Sequence, residues 1–301
     1  MEAHLPEELL REILAYNMLP THSDFLRFHN DYAERYRLPP ISRYSHLLLV
    51  SKRWLRVGTP LLYECLHLAT DEQTAAVAKV LSANTQLGLA VRCLKLEGGL
   101  QGSFVDVAKL APRVHSILFV FRMKPTDNIP VLREALPLLN PAFLQLETVN
   151  YHNKTISEAR KLVYACIKNS WKSLRTVAVS DSYQDMWSLA GVLAESSIEE
   201  FRCRAADLRG WSRDGTLQTV LHCPGLRRII CAGGLRVEAS RKILENGGIS
   251  NADIDKVGFV PHSWDDGEMG NWLLVMLDMR EGLPSSAQAQ APRWDSKLCV
   301  I

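Results

Sequence analysis

Paired cysteines, catalytic signature motifs and an excess of either charge are all missing from this sequence, and each absence removes a class of function. The seven cysteines (Cys65, Cys93, Cys166, Cys203, Cys223, Cys231 and Cys299) stand singly, with no CxxC and no CxxH spacing. Neither a zinc-ribbon ligand set nor a dithiol redox motif is expected from them, and they read as reduced thiols filling small apolar gaps. Lysine and arginine number 35 against 33 aspartates and glutamates, a formal net charge of +2. Such a balance gives no global attraction to nucleic acid or to an anionic membrane. No apolar run reaches the roughly 18 residues of a membrane span, and the opening stretch carries acidic residues where a secretory signal carries basic ones. The expectation is an intracellular protein, cytoplasmic or nuclear, without a membrane partner. A prenyl anchor is not expected, since Cys299 is third from the end and that signal needs its cysteine fourth.

There is also no P-loop, no GxGxxG after a strand, no HExxH and no GxSxG. Gly98-Gly99 and Gly233-Gly234 each follow a strand-like run, and a turn that needs positive φ accounts for them better than a phosphate cradle. The adjacent carboxylates Glu199-Glu200 and Asp265-Asp266 would point to opposite faces of an extended chain, which does not suit acid–base catalysis. The reading is a non-catalytic protein with no cofactor and no metal.

What the sequence does contain is apolar periodicity. With 47% hydrophobic residues the chain can bury a substantial core. Pro6 at a helix start and Glu7-Glu8 in its first turn launch a helix in which Leu9, Leu10, Ile13 and Leu14 recur at three- and four-residue spacings. Residues 21–40 break the pattern and end in Leu38-Pro39-Pro40, so they read as an insertion. A second helix is expected from Tyr44 to Val57, ended by Gly58, and a third from Thr59-Pro60 through Leu61, Leu62, Tyr63 and Cys65. About 60 residues in three short helices cannot hide apolar residues on several faces, so part of this surface is expected to meet a partner.

The order LPEELLREIL, an interruption, LLLVSKRW and TPLLYECLHL resembles the F-box, the three-helix motif that docks on the Skp adaptor of cullin-RING ubiquitin ligases. The resemblance spans residues 5 to about 68, with a longer connection between the first two helices than a compact F-box has. It implies a Skp-docking surface made of Leu5, Pro6, Leu9, Ile13, Leu14, Leu49, Val50, Ser51, Lys52, Trp54, Leu61, Leu62 and Tyr63.

From residue 87 onward an apolar-x-x-apolar-x-apolar pattern returns at Val91/Leu94/Leu96, Val114/Ile117/Phe119, Leu146/Val149/Tyr151, Leu174/Val177/Val179, Ile198/Phe201/Cys203, Leu226/Ile229/Cys231 and Ile254/Val257/Phe259. Helical spacing fills the gaps, at Asp71 to Ser82, Phe104 to Ala111, Ile129 to Leu139, Ile156 to Asn169, Met186 to Glu195, Leu217 to Cys223, Val237 to Asn246 and Trp272 to Met279. Short strands separated by helices must lie parallel, because each needs a crossover before the next can join it. The pattern is similar to a leucine-rich repeat without the family's regular asparagine. The predicted fold is therefore α/β, in three parts: a three-helix F-box-like N-terminus over 1–70 with the insertion at 21–40, an irregular leucine-rich-repeat-like solenoid over 71–283 with a parallel sheet and one helix layer, and a flexible tail over 284–301. Positions between the core residues would project from the open sheet face, where Arg202, Arg204, Arg228 and Lys256 form a basic patch suited to an acidic or phosphorylated protein substrate. The resemblance implies a substrate-recognition subunit of a ubiquitin ligase.

Overall fold

The computed structural model describes residues 5–19, 46–123, 127–148, 154–179, 185–204, 207–232 and 237–260. Two helices come first, α1 (Glu7–Met18) and α2 (Lys52–Leu62). Then follow β1 (Cys65–Leu68), α3 (Asp71–Ala83), α4 (Thr85–Gly88), β2 (Cys93–Leu96), α5 (Ser103–Leu110), β3 (Ser116–Phe121) and α6 (Ile129–Ala135) with a 3-10 turn at Leu136–Leu138. The remainder is β4 (Phe143–Thr148), α7 (Lys154–Asn169), β5 (Thr176–Val179), α8 (Met186–Ala194), β6 (Glu200–Arg204), α9 (Leu208–Arg213), α10 (Thr216–Leu221), β7 (Arg228–Ala232), α11 (Val237–Asn246), α12 (Asn251–Ile254) and β8 (Val257–Val260).

The eight strands form one sheet in chain order, β1 to β8, and every neighbouring pair is parallel. One detail repeats at the strand entries. The carbonyl of the residue before a strand accepts two backbone N–H groups from the entry of the next strand. Glu64 accepts from Arg92 and Cys93 at 2.9 and 3.0 Å, Arg92 from His115 and Ser116 at 2.7 and 3.0 Å, and His115 from Ala142 and Phe143 at 2.8 and 3.0 Å. Ala142, Arg175 and Glu199 continue the series as far as β7. These shared acceptors pin the register, and the side chains follow from it. Leu66, Leu94, Ile117, Leu144, Val177, Phe201, Ile229 and Val257 stand side by side across all eight strands. All are buried, and all belong to the large core shared with the helices. The arrangement, an all-parallel sheet with helices against it, is compatible with a solenoid-like layer.

The helices on that side bury apolar stripes and carry local caps. Thr70 and Asn128 accept backbone N–H bonds from Gln73 and Val131 through their side chains, satisfying first-turn donors. The indole N–H of Trp171 donates to the Leu136 carbonyl at 3.0 Å, so this buried ring keeps its hydrogen bond. Gly99 sits at φ 64° over the backbone of Thr70, and its carbonyl accepts the Thr74 hydroxyl at 3.0 Å. The Gly98-Gly99 pair is thus a turn, as its position after a strand suggested. Gly233-Gly234 lie outside the described residues.

Three sequence expectations are corrected. The repeat copy at Leu146/Val149/Tyr151 is displaced, because Leu144 and Leu146 are the residues that pair with Ile117 and Phe119. The first position of that copy is Pro141, which precedes the strand and needs no ladder N–H there. An eighth strand, β1, occupies part of the stretch read as the third helix. It fits the same pattern as Tyr63/Leu66/Leu68. Finally, the break between the N-terminal helices falls at Val50-Ser51 and not at Gly58. Residues 46–48 are helical, and α2 then runs unbroken through Gly58, Thr59 and Pro60. Ser51 caps α2 by accepting the Trp54 N–H at 3.2 Å. The insertion at 21–40, the helix expected at Trp272 to Met279 and the tail at 284–301 lie outside the described residues.

Gly58 is kept by close packing. A Cβ there would collide with the Leu48 side chain and lie 3.3 Å from Leu14 and 3.5 Å from the Met18 sulfur. Gly191, inside α8, has open space around it. Gly58→Val should therefore destabilise the protein by about 1–3 kcal/mol through overpacking. Gly191→Ala should stabilise it by roughly 0.5–1 kcal/mol through helix propensity. Urea unfolding of the two variants checks the opposite signs.

Candidate docking surface

The N-terminal helices hold a small core of their own. Leu10, Leu14 and Met18, spaced by four residues along α1, pack with Leu48 and Leu61, and Trp54, Val57 and Leu62 lie against them half-buried. That spacing places one side of α1 on α2. The other side of α1 is apolar too. Leu9, Ile13 and Tyr16 recur at four- and three-residue spacings and stand exposed, Leu9 at 52% and Tyr16 at 82%. Leu5 precedes them, and Leu49 (82%), Val50 and Leu55 add exposed apolar surface from the second segment. Among the described residues, seven of the nine large hydrophobic side chains that stand exposed are in this unit; the other two, Leu138 and Trp187, are isolated on the helix side of the sheet. A concentration of this kind is the usual mark of a protein contact.

Charged groups tie the unit together around this surface. Arg56 pairs with Glu7, Arg53 donates to the Leu5 carbonyl, and Arg11 reaches Glu64, at the entry to β1, at 3.4 Å. Of the thirteen residues assigned to docking by resemblance, Leu5, Pro6, Leu9, Ile13, Leu49, Val50, Ser51 and Lys52 are exposed. Leu14 and Leu61 are buried and support the surface from beneath. Trp54 and Leu62 are half-buried in the helical core, and Tyr63 packs against the core of the sheet. Trp54 is thus largely structural. Tyr16 and Leu55 were missed, although Tyr16 continues the exposed stripe three residues after Ile13.

The basic patch expected on the sheet is rearranged. Arg202 was placed among solvent-facing residues, but it is 1% exposed. Its guanidinium pairs with Glu200 and lies 5.7 Å from the Phe143 ring centroid. Burial pushes the Arg202 pKa down, and the Glu200 charge opposes that fall. Arg228, half-exposed on the neighbouring strand, pairs with the same Glu200. Arg204 is half-buried, and Lys256, in the turn before β8, pairs with Asp253 at 3.1 Å. Glu200, itself buried, therefore absorbs two of the four cations.

A second charged group lies at the β1–β3 end of the same face, where Glu97 meets His67 at 3.2 Å, Lys95 at 3.2 Å and Arg122 at 4.0 Å. Burial by itself would raise the Glu97 pKa, but the close approach of His67 and the charge of Lys95 hold it down at about 2. Among the described residues no group of three or more His, Cys, Asp or Glu side chains could hold a metal ion, and no helix is long and apolar enough to cross a membrane. Comparison with protein-family models and with curated proteins finds no match to this chain.

The depressed Glu97 pKa predicts a pH-dependent stability. Its contribution is present above the unfolded value near 4.5 and is lost as pH falls toward 2. Glu97→Gln should cost about 2–3 kcal/mol at neutral pH. The difference from the parent should narrow only below about pH 4.5, the ordinary carboxylate range. Urea denaturation from pH 7 to pH 3 measures it; a gap that is constant with pH would contradict the assignment.

Proposed function

We propose that this chain is a substrate-recognition adaptor of a Skp-cullin-F-box ubiquitin ligase, its N-terminal helices docking the Skp adaptor and its strand–helix repeats holding a protein substrate. The observation that carries the proposal is the second apolar side of α1. Leu5, Leu9, Ile13 and Tyr16 face outward while Leu10, Leu14 and Met18 already fill the helical core, and Leu49 and Val50 extend the outward apolar surface. The F-box resemblance names five of these six residues as docking residues. The resemblance of the repeats to a leucine-rich-repeat domain supplies the second half of the reading, in which the chain binds and the ligase's other subunits carry out ubiquitin transfer.

Exposed apolar anchors carry most of the energy of such an interface and little of the fold's. Replacing Leu9, Ile13 and Leu49 together by serine should weaken binding of the full chain to the purified Skp adaptor at least tenfold in isothermal titration. The melting temperature should stay within about 3 °C of the parent. Trp187→Ser, on the helix side of the sheet, serves as control and should bind as the parent does. An unaltered chain that shows no binding at micromolar concentrations would leave a repeat scaffold acting outside the ligase.

A further inference from the structure

Three cations are buried among the described residues: Lys95, Arg160 and Arg202. Lys95 pairs with Glu97, and Arg202 pairs with Glu200. Arg160, on α7 and 8% exposed, has no carboxylate within 4.0 Å among the described residues. Its guanidinium lies 5.4 Å from the Phe121 ring centroid, one terminal nitrogen reaches the Thr148 hydroxyl at 3.4 Å, and the buried Nε has no hydrogen-bond partner. A guanidinium carries five N–H donors and a full charge. A ring face and one long hydrogen bond meet only part of that demand, and a charge withdrawn from water without a counterion is costly.

The acids on neighbouring segments are directed elsewhere. Glu147 precedes Thr148 on β4 and so faces the opposite side of the sheet, beside Val120. Glu158 pairs with Lys161 at the surface of α7, and Asp185 accepts the Tyr164 hydroxyl at 3.0 Å.

The position of the guanidinium shows what kind of group answers this demand. Phe121 and Thr148 are the last residues of β3 and β4 and are partners across the ladder. The charge therefore sits at the carboxyl ends of parallel strands, where open α/β sheets bind their ligands. Arg160 stands six residues after Lys154, about 9 Å along the helix, and helical side chains lean back toward the N-terminus. It is thus aimed at the opening turn of α7, whose N–H groups lack intrahelical acceptors and carry the positive end of the helix dipole. That turn holds no acidic side chain and begins with Lys154.

We propose that Arg160, the Thr148 hydroxyl and the first-turn N–H groups of α7 form a site for a phosphate group carried by a small molecule. The tetrahedral oxygens of a phosphate take the guanidinium fork on one side and backbone N–H donors on the other. Its double charge suits Arg160, Lys154 and the helix end together better than a single carboxylate does. The burial of Arg160 favours a compact ligand over a polypeptide laid along the surface. The site is separate from the docking surface of α1 and α2 and does not depend on that reading.

The test uses the full chain, with inorganic phosphate as the probe. In about 20 mM phosphate the parent should melt about 3 °C or more above its value in chloride of equal ionic strength, because a ligand of the folded state stabilises it. In Arg160→Met that difference should fall below about 1 °C. In chloride this variant should melt no lower than the parent, since it removes a buried charge that has no carboxylate. A purely structural arginine predicts the reverse, so a lower melting temperature in chloride, or failure to fold, overturns the proposal. Arg160→Lys keeps the charge but loses the fork, and isothermal titration should show phosphate binding at least tenfold weaker than in the parent. Equal affinities overturn the proposal, as does the absence of a phosphate effect on the parent or an equal effect on Arg160→Met. An acetate effect as large as that of phosphate would mark a carboxylate site instead. A phosphoserine peptide that binds more tightly than glycerol phosphate would assign the site to a protein ligand and overturn the small-molecule assignment.

Discussion

Six carbonyls, each shared by two N–H groups from the next strand's entry, fix how this molecule is built. A shared acceptor leaves no room for slippage, and in a sheet a slip of one residue would exchange the two faces of a strand. With the register set, one set of alternate residues meets the helices and forms the ladder from Leu66 to Val257, while the other set forms the Cys93–Phe143 cluster. The residues that supply these carbonyls also pair along the same edge. Arg175 and Glu199 meet at 3.1 Å, and Glu199 and Arg227 at 3.5 Å. Such exposed pairs contribute little individually; the backbone bonds carry the register.

Because the ladder repeats, most of it could be read from the sequence. Six of the seven repeat copies coincide with strands, and the helix expected from Val237 to Asn246 has those bounds in the structure. The β4 copy was misplaced because Leu146/Val149/Tyr151 satisfies the same spacing as the true copy, whose first position is a proline. Periodicity cannot choose between two matches five residues apart, but the shared carbonyl of His115 does. β1 was absorbed into a helix because Leu61, Leu62, Cys65 and Leu66 also fit helical spacing. At Gly58 the sequence signal for a helix end was real, yet the demand for close approach by Leu14, Leu48 and Met18 explains the same glycine inside a helix.

The candidate site was less legible, for a reason that differs between its two parts. In α1 the pattern Leu9-Leu10 and Ile13-Leu14 shows that two helix faces are apolar, but not which of them packs inward. Leu10 and Leu14 meet Leu48 and Leu61, and that contact leaves Leu9 and Ile13 outside. Leaving several large apolar groups in water forgoes roughly 25 cal/mol for each square ångström that could be buried. The concentration of such groups in one unit, against two isolated ones elsewhere, favours a partner surface over ordinary surface scatter. On the sheet, alternation alone assigned Arg202 to solvent. It could not show that Glu200 would bind two arginines, or that Arg202 would be buried.

Glu200 has a structural role in consequence. It stands between Arg202, buried over Phe143, and Arg228, whose side chain reaches solvent. A carboxylate moved out of water is stabilised only if its lone pairs are met, and two guanidiniums can meet them. Arg202 has the matching requirement, because burial weakens its hold on its proton and the Glu200 charge restores part of it. Loss of either partner would leave the other as a buried charge deprived of its main counterion, a larger penalty than the pair's net contribution to stability. The Arg202 guanidinium meanwhile lies over the ring of Phe143, a member of the apolar cluster, so the charged and apolar parts of the face are joined at one residue. That junction explains why a row of arginines on adjacent strands does not make an open anion site here. Two of the cations are already committed to Glu200, and one of those two is enclosed.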